Sequence, residues 1–200
     1  LVIALSTSFV FADYGVPLWA SLVLGGLTTY IMLLILAISV HRLLRVIVGT
    51  DSGYLPPWKV KYWGTMAMIA YWLPLIVRPL LPPEYLPTWL MRALGMRIGA
   101  SSINLGLILD PEMITLGREA HLEEGACLSG HVMPSAERRV YRAPVVIGAR
   151  TKIGKDCVIC PGVVIGPDAI ILPNSFIPPN IRLEGGKCYG GNPATEISIL

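Results

Sequence analysis

Two hundred residues give room for one ordinary domain or two small ones, and this chain is 54% apolar and only 14% charged, against a usual ~25% charged. A mean hydropathy of +0.62 excludes a disordered chain, a highly charged nucleic-acid binder and a coiled coil, and a net charge of +3 makes no case for nucleic acid. Four cysteines at irregular spacing form no disulfide framework and read as reduced thiols facing a cytosolic environment, while 20 Gly and 17 Pro are too many for an all-helical membrane protein.

The charges divide the chain in two. Residues 1–91 carry eight charged side chains and residues 92–200 carry the other 21. The expected domains are therefore membrane and interfacial helices over 1–91 and a β-domain over 92–200. Residues 1–12 are uncharged and read as the tail of an earlier spanning helix. From Tyr14 to Val40 there are 27 residues without a charge, enough for a transmembrane helix. His41 ends it as an interfacial residue with no chemistry. Arg42, Arg45, Lys59 and Lys61 follow, against Asp13 alone on the other flank, and the positive-inside rule puts residues 42–61 in the cytoplasm. Residues 62–77 are apolar but too few to span comfortably, and Pro74, Arg78 and Pro82-Pro83 interrupt or follow them. They read as a kinked interfacial helix, with Trp63, Tyr71, Trp72 and Trp89 at headgroup level. That makes a multi-pass membrane protein whose second half stays on the cytoplasmic side.

From about Ile98 the period becomes six. Ile147, Ile153, Ile159, Ile165, Ile171, Ile177 and Leu183 are evenly spaced, with small or compact residues four positions after them: Thr151, Cys157, Val163, Ala169 and Ser175. Leu116, Leu122 and Leu128 form a second set. This is the hexapeptide repeat of a parallel β-helix. Each hexapeptide is one flat face of a triangular coil, its aliphatic points inward, and Gly and Asn take the corners. Cys157 reads as a core thiol. Cys160 completes a CxxC, but without a second pair no metal is expected. From Leu128 to Ile147 the register breaks, and Glu137, Arg138, Arg139, Tyr141 and Arg142 are wrong for prism corners. An excursion over Val132–Ala143 is expected, with His131 at its base.

His131 is one of three histidines, and an imidazole there can remove a proton near neutral pH. His121 reads as a solvated corner. Two acidic candidates accompany it as catalytic residues: Asp110 precedes Pro111 and reads first as a turn signal, yet its place in the DPEMITLG segment ranks it ahead of Glu124. Glu124, seven residues before His131, orients the imidazole if coil stacking brings the two together.

Gly130-His131 followed by a loop, then PVVIG, IGKDCVICPGVVIGPDAIILPNS and a closing GGNPA, resembles the hexapeptide-repeat acyltransferases, galactoside acetyltransferase among them. The resemblance implies membrane α-helices followed by an all-β left-handed parallel β-helix. It implies an acyl-coenzyme A donor, a hydroxyl or amine acceptor, and His131 as general base. It implies a homotrimer, with the coenzyme along the last coils between subunits; the positions that would meet it include Ala149, Lys155, Pro173, Asn174 and Asn192. The order LMRALGMRIG, LILDPEMITLG, SGH is similar to the membrane and β-helix region of ε-poly-lysine synthetase-type nonribosomal peptide synthetases and their stand-alone relatives. FIPPNIRLEGGKCYGG departs from the family's regular final coil. Two other readings compete. A γ-class carbonic anhydrase needs three histidines, whereas the prism has only His121 and His131. A non-catalytic trimeric scaffold is motivated by the lack of a clear acidic partner for His131.

Overall fold

The structure, a computed structural model, describes residues 8–11, 13–77, 88–134 and 139–198. The chain falls into two compact units, Leu1–Val40 and His41–Leu200. The first holds most of helix α1 (Leu18–Val48, 31 residues). No charge interrupts α1 before Arg42, and its hydroxyls turn back on the helix. Thr28 Oγ1 and Thr29 Oγ1 donate to the Gly25 carbonyl at 3.0 and 2.8 Å, and Ser39 Oγ to that of Ile35 at 2.7 Å. Such back-bonding gives these three hydroxyl hydrogens an acceptor within the helix itself. Among the described residues α1 is the one helix long and apolar enough to cross a membrane. It stops at Gly49, whose φ of +77° lets its N–H reach the Arg45 carbonyl at 2.8 Å.

The second unit is built on a parallel β-solenoid with three faces. Residues eighteen apart pair in register on each: Val146 with Val164, Ile153 with Ile171, and Ile159 with Ile177. Three hexapeptides thus make one coil, as the aliphatic spacing predicts. Face one runs from Arg97–Ile98 to Arg182–Leu183, face two from Ile103–Asn104 to Ala194–Glu196, and face three from Leu107–Leu109 to Phe176–Ile177. Ile147, Ile153, Ile159, Ile165, Ile171 and Ile177 are all but fully buried, as are Thr151, Cys157, Val163, Ala169 and Ser175. Each buried aliphatic contributes about 1.5–3 kcal/mol relative to an exposed one. Burial also pushes the Cys157 and Cys160 thiols above their ordinary pKa.

Asn174, Asn180, Gly125, Gly162 and Gly186 take left-handed corners as expected, but the glycines that follow Ile147, Ile153 and Ile165 have a different reason. The left-handed corner is taken two residues later, by Arg150, Asp156 and Asp168 at φ +55° to +61°. The glycine instead lets adjacent coils touch: a Cβ on Gly148 would lie 2.4 Å from the Pro167 nitrogen. Gly148→Ala is accordingly expected to cost about 1–3 kcal/mol by overpacking. Gly64→Ala, on a helix with nothing within 4 Å, should be neutral or stabilising by up to ~1 kcal/mol. Thermal midpoints of the two variants against the parent check this.

Two outward departures from the prism fall on one edge, where face three hands over to face one. In the first coil Asp110 and a 3₁₀ turn (Pro111–Met113) bulge out there. In the second the chain leaves the prism, so pairing across the break spans 31 residues, as for Leu116 with Ile147 and Leu128 with Ile159. The excursion is a β-hairpin. His131–Val132 pairs antiparallel with Tyr141–Arg142, and Gly53–Tyr54 adds a third strand beside it. Glu137 and Arg138 lie outside the described residues.

Helix α2 (Pro57–Val77) buries Trp63, Met66, Ala70, Leu73, Pro74 and Val77, a stripe at three- and four-residue intervals. Trp63 and Met66 pack with Val48, Leu55 and Val140 in one cluster. Trp63 is therefore not a headgroup-level aromatic: it is 8% exposed, whereas Trp72 and Trp89 are more than half exposed. The period-3.6 stripe buries Trp63 because α2 packs one face inward and leaves Trp58, Trp72 and Ile76 on the other. A short helix, α3 (Thr88–Ala93), leads into the first coil.

Candidate active site

The two bulges at the face-three edge stack, and their stacking builds the site. Gly130 makes it possible, since a Cβ there would come 2.7 Å from Met113 Cβ and 3.0 Å from Asp110 Cβ. Asp110, at φ +58°, lies beneath the first residue of the hairpin. Its Oδ2 is 2.5 Å from His131 Nδ1. Trp63 Nε1 donates to the other oxygen, Oδ1, at 2.8 Å, and the Trp63 and His131 rings meet edge to face at 4.7 Å between centroids. Ser129 Oγ donates to the His131 carbonyl at 2.7 Å.

A carboxylate that only accepts fixes the tautomer, with the proton on Nδ1 and a lone pair on Nε2. The Asp110 side chain is fully buried, while His131 keeps 21% of its side chain open. Among the described residues nothing hydrogen-bonds to Nε2. Burial opposes the Asp110 charge, but the hydrogen bonds from His131 and Trp63, with the charges of His131 and Arg142, hold its carboxyl below the ordinary range. An imidazole held in this way, with part of its side chain exposed, is chemically able to take a proton at Nε2.

Behind it lies a second buried group. Arg142 is fully buried and pairs with Glu112, and its Nη1 donates to the Gly49 carbonyl at 3.1 Å. His41 Nε2 is 3.7 Å from Glu112 Oε2, both side chains fully buried. The sequence placed His41 at the interface and Arg142 in an exposed excursion. Both are interior because the end of α1 and the returning hairpin strand close over the same 3₁₀ turn. Burial first, then the charge of Asp110, push the Glu112 carboxyl up to about 7 against the pull of Arg142.

Residues 144–179 match the family described as bacterial transferase hexapeptide (six repeats). No curated protein matches the chain. Among solved structures, a hexapeptide-repeat containing acetyltransferase from Vibrio cholerae is similar at a TM-score of 0.57 and 20% identity, over 73% of this chain and 94% of that one. A maltose O-acetyltransferase from Clostridium difficile gives 0.54 at 18% identity, over 68% and 86%. A galactoside acetyltransferase in complex with coenzyme A gives 0.54 at 16%, over 68% and 81%. The likeness is one of fold.

The remaining sequence candidates sit elsewhere on the prism. Glu124 is an exposed corner residue lining an apolar cavity of about 270 Å³ with Tyr71, Leu75 and Leu107. It does not reach His131, because it sits between faces two and three, one edge away. Lys155, Pro173 and Asn174 stack on that same edge, where the Asn174 N–H donates to the Lys155 carbonyl at 2.8 Å. Ala149 is on the edge between faces one and two, and Asn192 is in the turn joining the last two strands of face two. These five positions flank face two, which the triangular section sets across from the edge carrying His131. His121 is half-buried on face two, paired with Lys152. Among the described residues no three His, Cys, Asp or Glu side chains come together as a metal set.

Trp63 is the residue that sequence reasoning missed. Nothing local in the sequence declares its partner, which lies forty-seven residues on. The scaffold reading loses its motive, since Asp110 supplies the acidic partner.

Proposed function

We propose that the chain is a membrane-anchored acyltransferase moving an acyl group from acyl-coenzyme A to a hydroxyl or amine, with His131 as general base and Asp110 as the residue that orients it. The observation that carries this is the Asp110–His131 pair at 2.5 Å, with 21% of the His131 side chain exposed and no partner on Nε2 among the described residues. Support comes from the fold shared with three structures described as acetyltransferases, one of them bound to coenzyme A. Nε2 takes the acceptor proton as its oxygen or nitrogen attacks the thioester carbonyl. The C–S bond then breaks, and the imidazolium returns the proton to the departing thiolate.

Because Ala149, Lys155, Pro173, Asn174 and Asn192 flank the face opposite His131, one prism does not join donor to base. A second copy with its face two against the first copy's hairpin edge would, and a cyclic trimer closes that contact. In this proposal α1 anchors the trimer, α2 lies at the interface and the solenoid is cytoplasmic. The order LMRALGMRIG, LILDPEMITLG, SGH keeps the narrower resemblance to ε-poly-lysine synthetase-type enzymes within the same proposal.

The test is coenzyme-thiol release by the detergent-solubilised chain from acetyl- and longer acyl-coenzyme A, over a panel of amines and alcohols. No release and no coenzyme binding with any of them would overturn the assignment. Trp63 is a positioning residue in this scheme. Trp63→Phe keeps the ring against His131 but removes the donor to Asp110, and about a tenfold loss in kcat is expected, the scale of one hydrogen bond to a charged group. The same loss should move the acid limb of the pH–rate profile upward, since that donor helps hold the Asp110 carboxyl low. A profile unchanged in position would reduce Trp63 to a packing role.

A further inference from the structure

We propose that Arg42, Arg45 and Arg92 form a phosphate-binding site separate from the His131 site. They converge from the end of α1 and the end of α3 on an open cavity of about 390 Å³ that Thr50 also lines, and no carboxylate lines it. Arg42 Nε donates to the Ala93 carbonyl at 2.9 Å, and Arg92 Nη2 to that of Ile98 at 3.0 Å. Each is thus tethered by one N–H of five and keeps the others. The Arg45 side chain makes no hydrogen bond and has no carboxylate within 4 Å among the described residues. Its guanidinium lies against Gly95, where a Cβ would come 2.6 Å from Nη1. The nearest buried carboxylate, Glu112, is already committed to Arg142.

A basic side chain in the last turn of a helix is favourable in itself, and that accounts for Arg45 or Arg92 singly. It does not account for three arginines gathered around one cavity that no carboxylate lines, where they repel one another. A polyanion with several acceptor oxygens relieves that repulsion, and guanidinium forks match phosphate geometry. Two sources supply such a group. Arg42 follows the uncharged stretch Tyr14–Val40 by two residues in sequence, which favours a lipid headgroup; a phosphorylated small molecule in solution is the other. The site stands independently of the acyltransferase reading.

The experiment uses the full chain in non-ionic detergent and two probes, inorganic pyrophosphate and dihexanoyl-phosphatidylglycerol, with dihexanoylglycerol as the phosphate-free control. Binding is followed by titration calorimetry, and modification of Arg42, Arg45 and Arg92 by phenylglyoxal is read residue by residue with mass spectrometry. Saturable binding of either phosphate probe is expected, with protection of all three arginines and none from the control. Protection by both marks a site for phosphate from either source; protection by the lipid alone marks a headgroup site. Arg45→Gln should weaken binding by about tenfold or more, and Arg45→Lys should recover part of it. Binding by neither probe, or equal binding by parent and Arg45→Gln, overturns the proposal. The protection measurement needs no variant, so it decides the matter even if Arg45→Gln fails to fold.

Discussion

His131→Ala is expected to lower coenzyme-thiol release by 10²–10⁴-fold, the usual contribution of a positioned general base, while leaving the fold intact. The imidazole is partly open and makes one side-chain hydrogen bond, so its removal strands only the Asp110 oxygen. Trp63 still donates to the other oxygen. Asp110→Asn should fall between parent and His131→Ala. The amide can still accept from Nδ1 but no longer stabilises the imidazolium that forms during transfer. Circular dichroism and the thermal midpoint separate loss of chemistry from loss of structure. Unchanged release in His131→Ala would sink the assignment of the base.

The second large effect is on stability, and it is asymmetric. Glu112→Leu leaves the Arg142 guanidinium fully buried with its charge unmatched. A guanidinium does not deprotonate in a protein, so the cost should reach about 3–5 kcal/mol. Arg142→Met leaves a carboxyl that neutralises itself by taking a proton, and it should cost less. The double variant should recover much of the Glu112→Leu loss, because two apolar side chains replace both partners.

The pH dependence follows from the same carboxyl. Its folded pKa, raised to about 7, lies above the ~4.3 of an unfolded glutamate. The folded state therefore binds the proton more tightly. That contribution is complete below the unfolded value and is lost as pH rises toward 7. Glu112→Gln should flatten stability over that window. Thermal midpoints of the variants across pH 4–8 test both statements, and equal losses for Glu112→Leu and Arg142→Met would contradict the first.

The repeating parts of this protein were legible residue by residue. Ile147 to Ile177 declared the coil because each inward side chain answers a local need that recurs every six residues. The edge of the excursion was legible for the same reason, as a break in that period between Leu128 and Ile147. The uncharged stretch Tyr14–Val40 declared a helix apolar enough for a bilayer, since length and absence of charge are properties of the chain itself.

What the sequence did not contain was partnership. Asp110 read first as a turn residue and second as an acidic candidate, and it became the partner of His131 because two bulges in successive coils stack on one edge. Glu124, nearer in sequence, went to another edge. Trp63, His41 and Arg142 looked like interface or surface residues, and their burial followed from where α2, the end of α1 and the hairpin pack. A period is a local property that each hexapeptide restates. The partner of a buried polar group is set by which distant segment is pressed against it, and that is decided only when the coils and helices close.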